Sequence, residues 1–514
     1  MTLRLRLPAY RLFPYERDLA EREIEALDLR LVEASGDGFV IDAPVSLPAL
    51  RRLTYVSEVH DAHGVVVEPD LAAMEAVHRD LRGRGPGRQA TRYGLHGIHE
   101  YKGKFNPQVV RSFANLVGLR PGDWLIDPFC GSGTALLEGA SLGANVLGID
   151  LSPMAAFIAS VKLDAARAGA PLEIAGELAA WMRRSSPAIA AAQRWAAPVP
   201  EGLAHLDGAS CRYLEAWFTA PALAALTAAL AARAGLSTVA RGLVDVAISS
   251  LCRAVSLQVP EDLRVRRRPE GFVAPAVAPL LEHAVGDLVL ALRELAAGRP
   301  FPPFEARVVT AGASDPTAYA AVPASARRRV VICSPPYATA LPYIDTDRLS
   351  LVLLGLAGAR EVRDLERSLT GSREWTAGEH ARWSAALATD ASGLPPDIVR
   401  LCLQVERTGS AKGFRRRAVA PLLYRYFHEM RAALGQLRAV LSAGDEAVLI
   451  VGANRTSGAG GPIVIETPRL LGAVAERAGF RVKDLVALQT WPRFGLHRAN
   501  GIASESALWL AVGA

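Results

Sequence analysis

The sequence predicts an α/β chain built on a parallel sheet, interrupted by a helical insert and preceded by a small α+β domain. Three observations lead there. Residues 123–150 run strand, glycine-rich turn, helix and strand, the order of a β-α-β unit. A second apolar strand, RRVVICS, ends at Ser334, 207 residues beyond Asp127, where three βα units would need only about 90. The intervening residues 164–300 are rich in alanine and leucine at helical spacing, as in PALAALTAALAARAG, and hold few strand signals.

In chain order, residues 1–82 form the first unit, with RLRLPAY and LRLVEASGDGFVIDAP as strands around the helical DLAEREIEALD. RGRGPGRQ, Arg82 to Gln89, has the composition of a flexible connection and marks a boundary. Residues 91–163 hold DWLID, ALLEGASLG and NVLGID, the first part of the sheet domain; Gly143 and Gly148 read as ordinary turn residues. Residues 164–300 are the insert. Residues 301–514 complete the sheet domain: ARVVTAG and RRVVICS, an arginine-containing helical region from Asp347 to Arg438, then EAVLIVGAN, RLLGAVAERAG, RVKDLVALQT and SALWLAV.

With 514 residues, 50% of them hydrophobic, the chain can bury a large core without disulfides. Lys and Arg number 58 against 52 acidic residues, a net charge of +6 that permits polyanion binding without implying it. The five cysteines form no C-x-x-C pair, so neither a disulfide framework nor a zinc site is expected. His96 and His99 have a metal-like spacing but no third ligand, and are read as loop residues; no metal is expected. Arg4, Arg6, Arg11 and Arg17 interrupt the apolar start, so no signal peptide is expected there, and with Arg241, Asp245 and Arg253 the apolar stretch from Val239 to Val255 is expected to be a buried helix and not a membrane span. A cytoplasmic protein with reduced thiols and no membrane partner is expected.

The first chemical signal is DWLIDPFCGSGT. Gly131 and Gly133 let the backbone approach a ligand closely, and the helix opening at Thr134 offers free N–H groups. Such turns also serve NADH, flavins and nucleotides. Asp150, ending the next strand 23 residues after Asp127, narrows the choice: its carboxylate can accept from both hydroxyls of a ribose.

Together, DPFCGSGT and GIDLSP resemble motifs I and II of the amino-methyltransferases that act on DNA and on some RNAs. The resemblance implies a Rossmann-like class I methyltransferase domain with S-adenosylmethionine as cofactor. Gly131 and Gly133 would pack against its methionine part, with Phe129 and Thr134 in the same binding turn; Asp127 would lie near its amino group and Asp150 on its ribose. HEYKGKFNP resembles the preceding motif, which implies that Lys104 and Phe105 hold the methionyl end. Asp315, in VVTAGASDP, would bond the adenine amino group.

The second signal is RRVVICSPPYATALPYID, a strand that ends in Ser334, Pro335, Pro336 and Tyr337 at the sheet edge where α/β folds carry ligands. The prolines fix φ near about −65° and remove competing N–H groups, so that the Pro335 carbonyl can project as a rigid acceptor. An exocyclic amino group on a base is a poor nucleophile until acceptors engage both of its hydrogens. Ser334 and the Pro335 carbonyl are the expected acceptors, and Tyr337 the ring that stacks on the base. Methyl transfer is then an in-line displacement without a covalent enzyme intermediate, on a base flipped out of the duplex.

SPPY resembles motif IV of the DNA amino-methyltransferases, and a serine in its first position is commoner in the N4-cytosine enzymes than in the N6-adenine ones. LPYIDTDRLSLVLLG and the terminal HRANGIASE resemble the same group, so the likeness covers roughly Tyr93–Leu163 and Val308–Ala514. It implies a site-specific DNA (cytosine-N4) methyltransferase, within restriction-modification or genome defence. The alternatives are N6-adenine methylation of DNA and guanine-N2 methylation of tRNA or other RNA, the latter because FPYERDLAEREIEAL resembles the N-terminal modules of such tRNA enzymes. A nucleic-acid-binding relic is the non-enzymatic alternative, against which Asp150 and SPPY both argue. C5-cytosine chemistry would need a thiolate, but neither Cys130 nor Cys333 follows a proline, and both are read as packing residues. Nucleic acid, double-stranded DNA foremost, is the expected partner. Arg264, Arg266, Arg267 and Arg268 in the insert, and Lys412, Arg415, Arg416 and Arg417 near the end of the helical region, are the clusters that could neutralise its phosphates.

Overall fold

The computed structural model describes residues 2–42, 46–85, 87, 89–101, 103–104, 106–260, 265–338, 343–390, 393–409, 418–458, 461–489 and 504–513. The first unit is a five-stranded sheet of Thr2–Arg6 (β1), Arg30–Ser35 (β2), Gly38–Asp42 (β3), Glu58–His60 (β4) and Val65–Val67 (β5), in the order β2-β3-β1-β4-β5. The helix Pro14–Ala26 crosses between β1 and β2, and Asp70–Leu81 follows β5. Alternation sets its core: Leu3 and Leu5 point inward while Arg4 and Arg6 stay in solvent.

The larger sheet contains Trp124–Asp127 (β6), Asn145–Asp150 (β7), Ala306–Thr310 (β8), Arg329–Cys333 (β9), Glu446–Gly452 (β10), Phe480–Gln489 (β13) and Ser504–Val512 (β14), while Asn454–Gly458 (β11) and Gly461–Ile465 (β12) form a separate hairpin. The order is β13-β14-β10-β9-β6-β7-β8; β8, β7, β6, β9 and β10 pair in parallel, and β14 runs antiparallel to both its neighbours. This parallel-rich sheet is Rossmann-like. From β6 the chain moves outward through β7 and β8, then returns to lay β9 on the other side of β6. The strand order therefore reverses between β6 and β9, which opens a crevice at their carboxyl ends.

The strands are covered on both faces, and successive residues serve different cores. Leu125, Val330, Ile332, Val448 and Ile450 join the core of the first unit, with Leu5, Leu19, Phe39 and Ile41. Ile126, Val331, Cys333, Leu449 and Val451 face the helices Pro396–Gly409, Val419–Val440 and Thr467–Arg477. Between β7 and β8 lie the helices Pro153–Arg167, Pro171–Trp195, Gly208–Trp217, Ala220–Ala232, Thr238–Val255 and Val277–Ala297. The stretch from Val239 to Val255 is a helix with Leu243, Val246, Ile248 and Val255 fully buried, and no described helix is long and apolar enough to cross a membrane.

The first unit is docked on the sheet domain. Arg52 Nε donates to Asn115 Oδ1 at 3.0 Å, Gln108 Nε2 to Glu75 Oε1 at 2.7 Å, and Arg22 to Asp484 at 2.7 Å. The segment expected to be a flexible connection is pinned at both ends. Arg82 binds Glu294 at 2.7 Å and Asp287 at 2.8 Å on the helix Val277–Ala297, and Gln89 donates to Glu16. Composition marks a turn-rich segment but does not register long side chains that find carboxylates elsewhere in the fold.

Candidate active site

β6 delivers Asp127 to the sheet edge, and the turn that follows is tied to both neighbouring segments. Phe129 N donates to Asp127 Oδ1 at 3.0 Å, Cys130 N to the Ile149 carbonyl at 3.0 Å, and Gly133 N to the Cys130 carbonyl at 2.8 Å. Gly131 (φ +48°) and Gly133 (φ +78°) adopt left-handed conformations that cost other L-residues roughly 1–2 kcal/mol. At Gly133 a Cβ would lie 2.9 Å from the Cβ of Ala159, so glycine is required for close packing as well as for conformation. Gly133 caps the helix Thr134–Ser141, whose first N–H groups face the turn.

Asp150 closes the turn from β7. Its two carboxylate oxygens accept from Gly131 N and Ser152 N, each at 2.8 Å. Burial pushes its carboxyl up to about 6, against the opposing effect of these two backbone donors. Asp127 is fully buried, and burial raises its carboxyl well above the ordinary value. Its Oδ2 has no hydrogen-bond partner among the described residues. A buried carboxylate oxygen without a donor is costly, and a cationic ligand would remove that cost.

An open cleft lies along this edge and brings the two sequence signals together. Lys104, Phe129, Gly131, Thr134 and Asp150 line one side, and Ser334 and Pro336, at the exit of β9, line the other. Lys104 Nζ donates to the carbonyls of His96 at 2.7 Å and Thr91 at 3.1 Å, and burial brings its pKa down to about 7. Pro335 is buried beside the cleft wall. The Tyr337 hydroxyl donates to Glu505 on β14, and its ring packs against the core that β14 shares. Phe105 lies outside the described residues.

Asp315 is placed elsewhere. Its exposed carboxylate accepts from Thr317 N at 2.9 Å and caps the short helical turn Pro316–Tyr319, while Ala311 and Ala313 form the cleft wall there. An Asp-Pro pair is a strong local cap signal, and local capping takes this side chain. Gly148 is not a turn residue. It lies in β7, where a Cβ would come within 2.4 Å of Leu136 Cδ1 and 2.9 Å of Cys130 Sγ, so it admits the glycine-rich turn against the strand. Gly143 does occupy a turn, at φ +78°.

His96 lies in the short helical turn Gly94–Gly97 and His99 in the loop after it, and both are buried. His96 Nε2 pairs with Glu138 at 2.8 Å and His99 Nε2 with Ser249 at 3.0 Å, and burial brings both imidazoles down to about 4. Cys130 and Cys333 are buried, and burial raises both thiols well above 9. Packing residues they are, and neither is poised as a thiolate.

The basic clusters divide. Arg266 and Arg267 are exposed, with the Arg267 guanidinium 5.6 Å from the Trp217 ring centre. Arg268 is engaged inside the protein: it donates to the carbonyls of Ser256 at 3.1 Å, Gln258 at 3.1 Å and Ala254 at 3.2 Å, and lies 4.1 Å over the Phe272 ring. It closes the carboxyl end of the helix Thr238–Val255 and is not available to a phosphate. Arg264, Lys412, Arg415, Arg416 and Arg417 lie outside the described residues. Several lining residues carried no sequence signal of their own: Tyr101, Ser132 and Ser152 sit inside motifs already noted, whereas Leu369 and Thr370 reach the cleft from the helical region.

Residues 98–184, which contain Lys104, the glycine turn and Asp150, match the family described as UPF0020, RMKL-like methyltransferase domain. The type II methyltransferase M.MjaII of Methanocaldococcus jannaschii is 52% identical over 69 residues, 13% of this chain and 13% of that protein. The type II methyltransferase M.BsoBI of Geobacillus stearothermophilus is 40% identical over 60 residues, 12% of each chain. A tRNA (guanine(10)-N2)-dimethyltransferase of Methanothermobacter thermautotrophicus is 41% identical over 51 residues, 10% of this chain and 15% of that protein. The chain thus spans no more than 15% of the length of any of these curated relatives.

Methyltransferase domains of this family generally draw on S-adenosylmethionine, and the residues present fit that group. Asp150 suits a pair of ribose hydroxyls and the left-handed Gly131 a ligand in close backbone contact, and both line the cleft; Asp127, with its buried unpartnered Oδ2, and Gly133, packed on Ala159, are not among the lining residues. The chain therefore carries a methyltransferase domain of Rossmann-like fold, related to proteins named as type II methyltransferases and as tRNA guanine-N2 methyltransferases.

Proposed function

We propose that the chain is an S-adenosylmethionine-dependent methyltransferase acting on an exocyclic amino group of a nucleic-acid base, with cytosine N4 of double-stranded DNA as the leading target. The observation that carries this reading is the meeting of Gly131 and Asp150 with Ser334 and Pro336 in one cleft at the point where the strand order reverses. S-adenosylmethionine would supply an electrophilic methyl group on a sulfonium. Asp150 and Asp127 hold ligand from the β6–β7 side, while Ser334 and the Pro335 carbonyl, from β9, accept hydrogens from the amino group. The nitrogen would take the methyl group as its bond to the sulfonium sulfur breaks, leaving the neutral thioether, and would release one proton to solvent. Catalysis is mainly alignment, worth up to about 7–11 kcal/mol in favourable systems.

DNA is favoured by Ser334 at the head of the motif and by relatives named as type II methyltransferases. Guanine N2 of tRNA is the second reading, favoured by the relative of that name and by the docking of the first unit at the catalytic edge, where Tyr15 N donates to Gln489 Oε1 at 3.4 Å. The test is to incubate the protein with methyl-labelled cofactor and either duplex DNA or total tRNA, then identify the product nucleoside by mass spectrometry. N4-methylcytosine in DNA is expected. N2-methylguanine in tRNA alone would move the substrate to RNA, and no label in either polymer would refute nucleic-acid methylation.

A further inference from the structure

A buried lysine stands behind the cofactor turn. The helix Pro153–Arg167 begins directly after Asp150, capped by Ser152 Oγ, which accepts from Ala155 N at 3.3 Å. Ala155, Ala159 and Lys162, four and three residues apart, share one face of this helix and are all fully buried. Ala159 is the residue that leaves room only for glycine at 133. One turn farther along, Lys162 Nζ donates to the Ser132 carbonyl at 2.8 Å.

The surroundings of Lys162 hold it to that contact. Burial, and then the charge of Lys104, push its pKa well below 10.5; the other titratable groups that feel it are His96, His99 and the Cys130 thiol. An apolar chain of the same length would fill this space without the desolvation penalty of an amine. Ser132 lines the cleft, and its hydroxyl is buried without a hydrogen-bond partner among the described residues.

We propose that Lys162 is a positioning residue for the cofactor: by holding the Ser132 carbonyl from behind, it fixes the backbone of residues 131–133 and thereby sets the Gly131 N–H on Asp150 and the Ser132 hydroxyl in the cleft. This rests on the reading of the cleft as the S-adenosylmethionine site. Lys162 does not touch the ligand itself, so its removal loosens the cradle without altering the group that accepts the methyl.

The test compares Lys162→Met, which keeps an unbranched chain one atom shorter and removes the donor, with Ala165→Gly, which weakens the same helix away from the turn. In the full-length protein, Lys162→Met should raise KM for S-adenosylmethionine about tenfold, the equivalent of one hydrogen bond of about 1.4 kcal/mol, with kcat held within about twofold. Affinity for S-adenosylhomocysteine should fall in parallel, because the loss is one of backbone placement and not of charge. Ala165→Gly should lower the melting temperature and leave KM unchanged. Lys162→Gln retains an N–H donor on a shorter chain and should fall between wild type and Lys162→Met; it decides the question if the methionine variant does not fold. An unchanged KM in the folded lysine variants, or a fall in kcat at constant KM, overturns the proposal. Wild-type protein that binds no S-adenosylmethionine overturns the cofactor reading beneath it, a result distinct from either.

Discussion

Asp150→Asn is the substitution that probes the cofactor side most sharply, because it preserves shape and removes charge. In the wild type both carboxylate oxygens already hold a backbone N–H, from Gly131 and Ser152 at 2.8 Å each. In either amide orientation, the NH2 group of asparagine must face one of those donors. One hydrogen bond to a charged group is lost, worth about 1.5–3 kcal/mol, so the Kd for S-adenosylmethionine should rise by roughly 10- to 150-fold. The pH dependence separates this from a general loss of structure. The carboxyl of the ligand-free protein, pushed up to about 6, must be ionised to accept from both ribose hydroxyls. Wild-type Kd should therefore be flat above about pH 7 and rise by up to about tenfold per unit as pH falls below 6. The asparagine variant should show no such slope. Calorimetric titrations from pH 5 to 8 make the measurement; a flat wild-type profile, or equal affinities at pH 7.5, would refute the role given to Asp150.

Three further perturbations follow from the geometry. Gly133→Ala adds a left-handed penalty of roughly 1–2 kcal/mol to overpacking of about 1–3 kcal/mol against the Cβ and Cα of Ala159, whereas Gly131→Ala meets only the edge of the Tyr101 ring. Thermal unfolding should accordingly rank the first as more damaging, and the reverse order would contradict the packing described. Cys333→Ala should keep methyl transfer within a few-fold of wild type, since the thiol is buried and held protonated; a covalent adduct with a mechanism-based cytosine analogue would instead point to thiolate chemistry. Replacing Arg266 and Arg267 together with Ala should lower the slope of log affinity against log salt by up to about 2, while Arg268→Ala should leave the slope unchanged and reduce the melting temperature. A slope that responds to Arg268 alone would reverse this division.

The placement of the glycine turn beside Asp150 could be read from the sequence because it depends on local spacing: a strand end, two left-handed positions and a carboxylate one βα unit later. SPPY was legible for the same reason, and the reversal of strand order supplied the reason these two segments meet. What escaped depends on which partner each side chain takes, near or far in the chain. Asp315 looked like a ligand residue until its local cap was seen; Arg268 looked like a phosphate contact until its three carbonyl acceptors were seen. Leu369 and Thr370 reach the cleft through the packing of helices, which periodicity does not encode. The docking of the first unit likewise depends on pairs such as Arg52 with Asn115, 63 residues apart in the chain.

The central claim is that one cleft has two sides, a cofactor side built on β6 and β7 and an acceptor side built on β9. Ser334→Ala tests it most directly in a single-turnover experiment with labelled S-adenosylmethionine already bound and nucleic acid added last. The account predicts cofactor affinity within about twofold of wild type and methyl transfer slowed by about 10²-fold or more, the range expected when a positioned polar group is removed from the reacting centre. Unchanged transfer, or cofactor binding lost together with it, would contradict the assignment of Ser334 to the acceptor side.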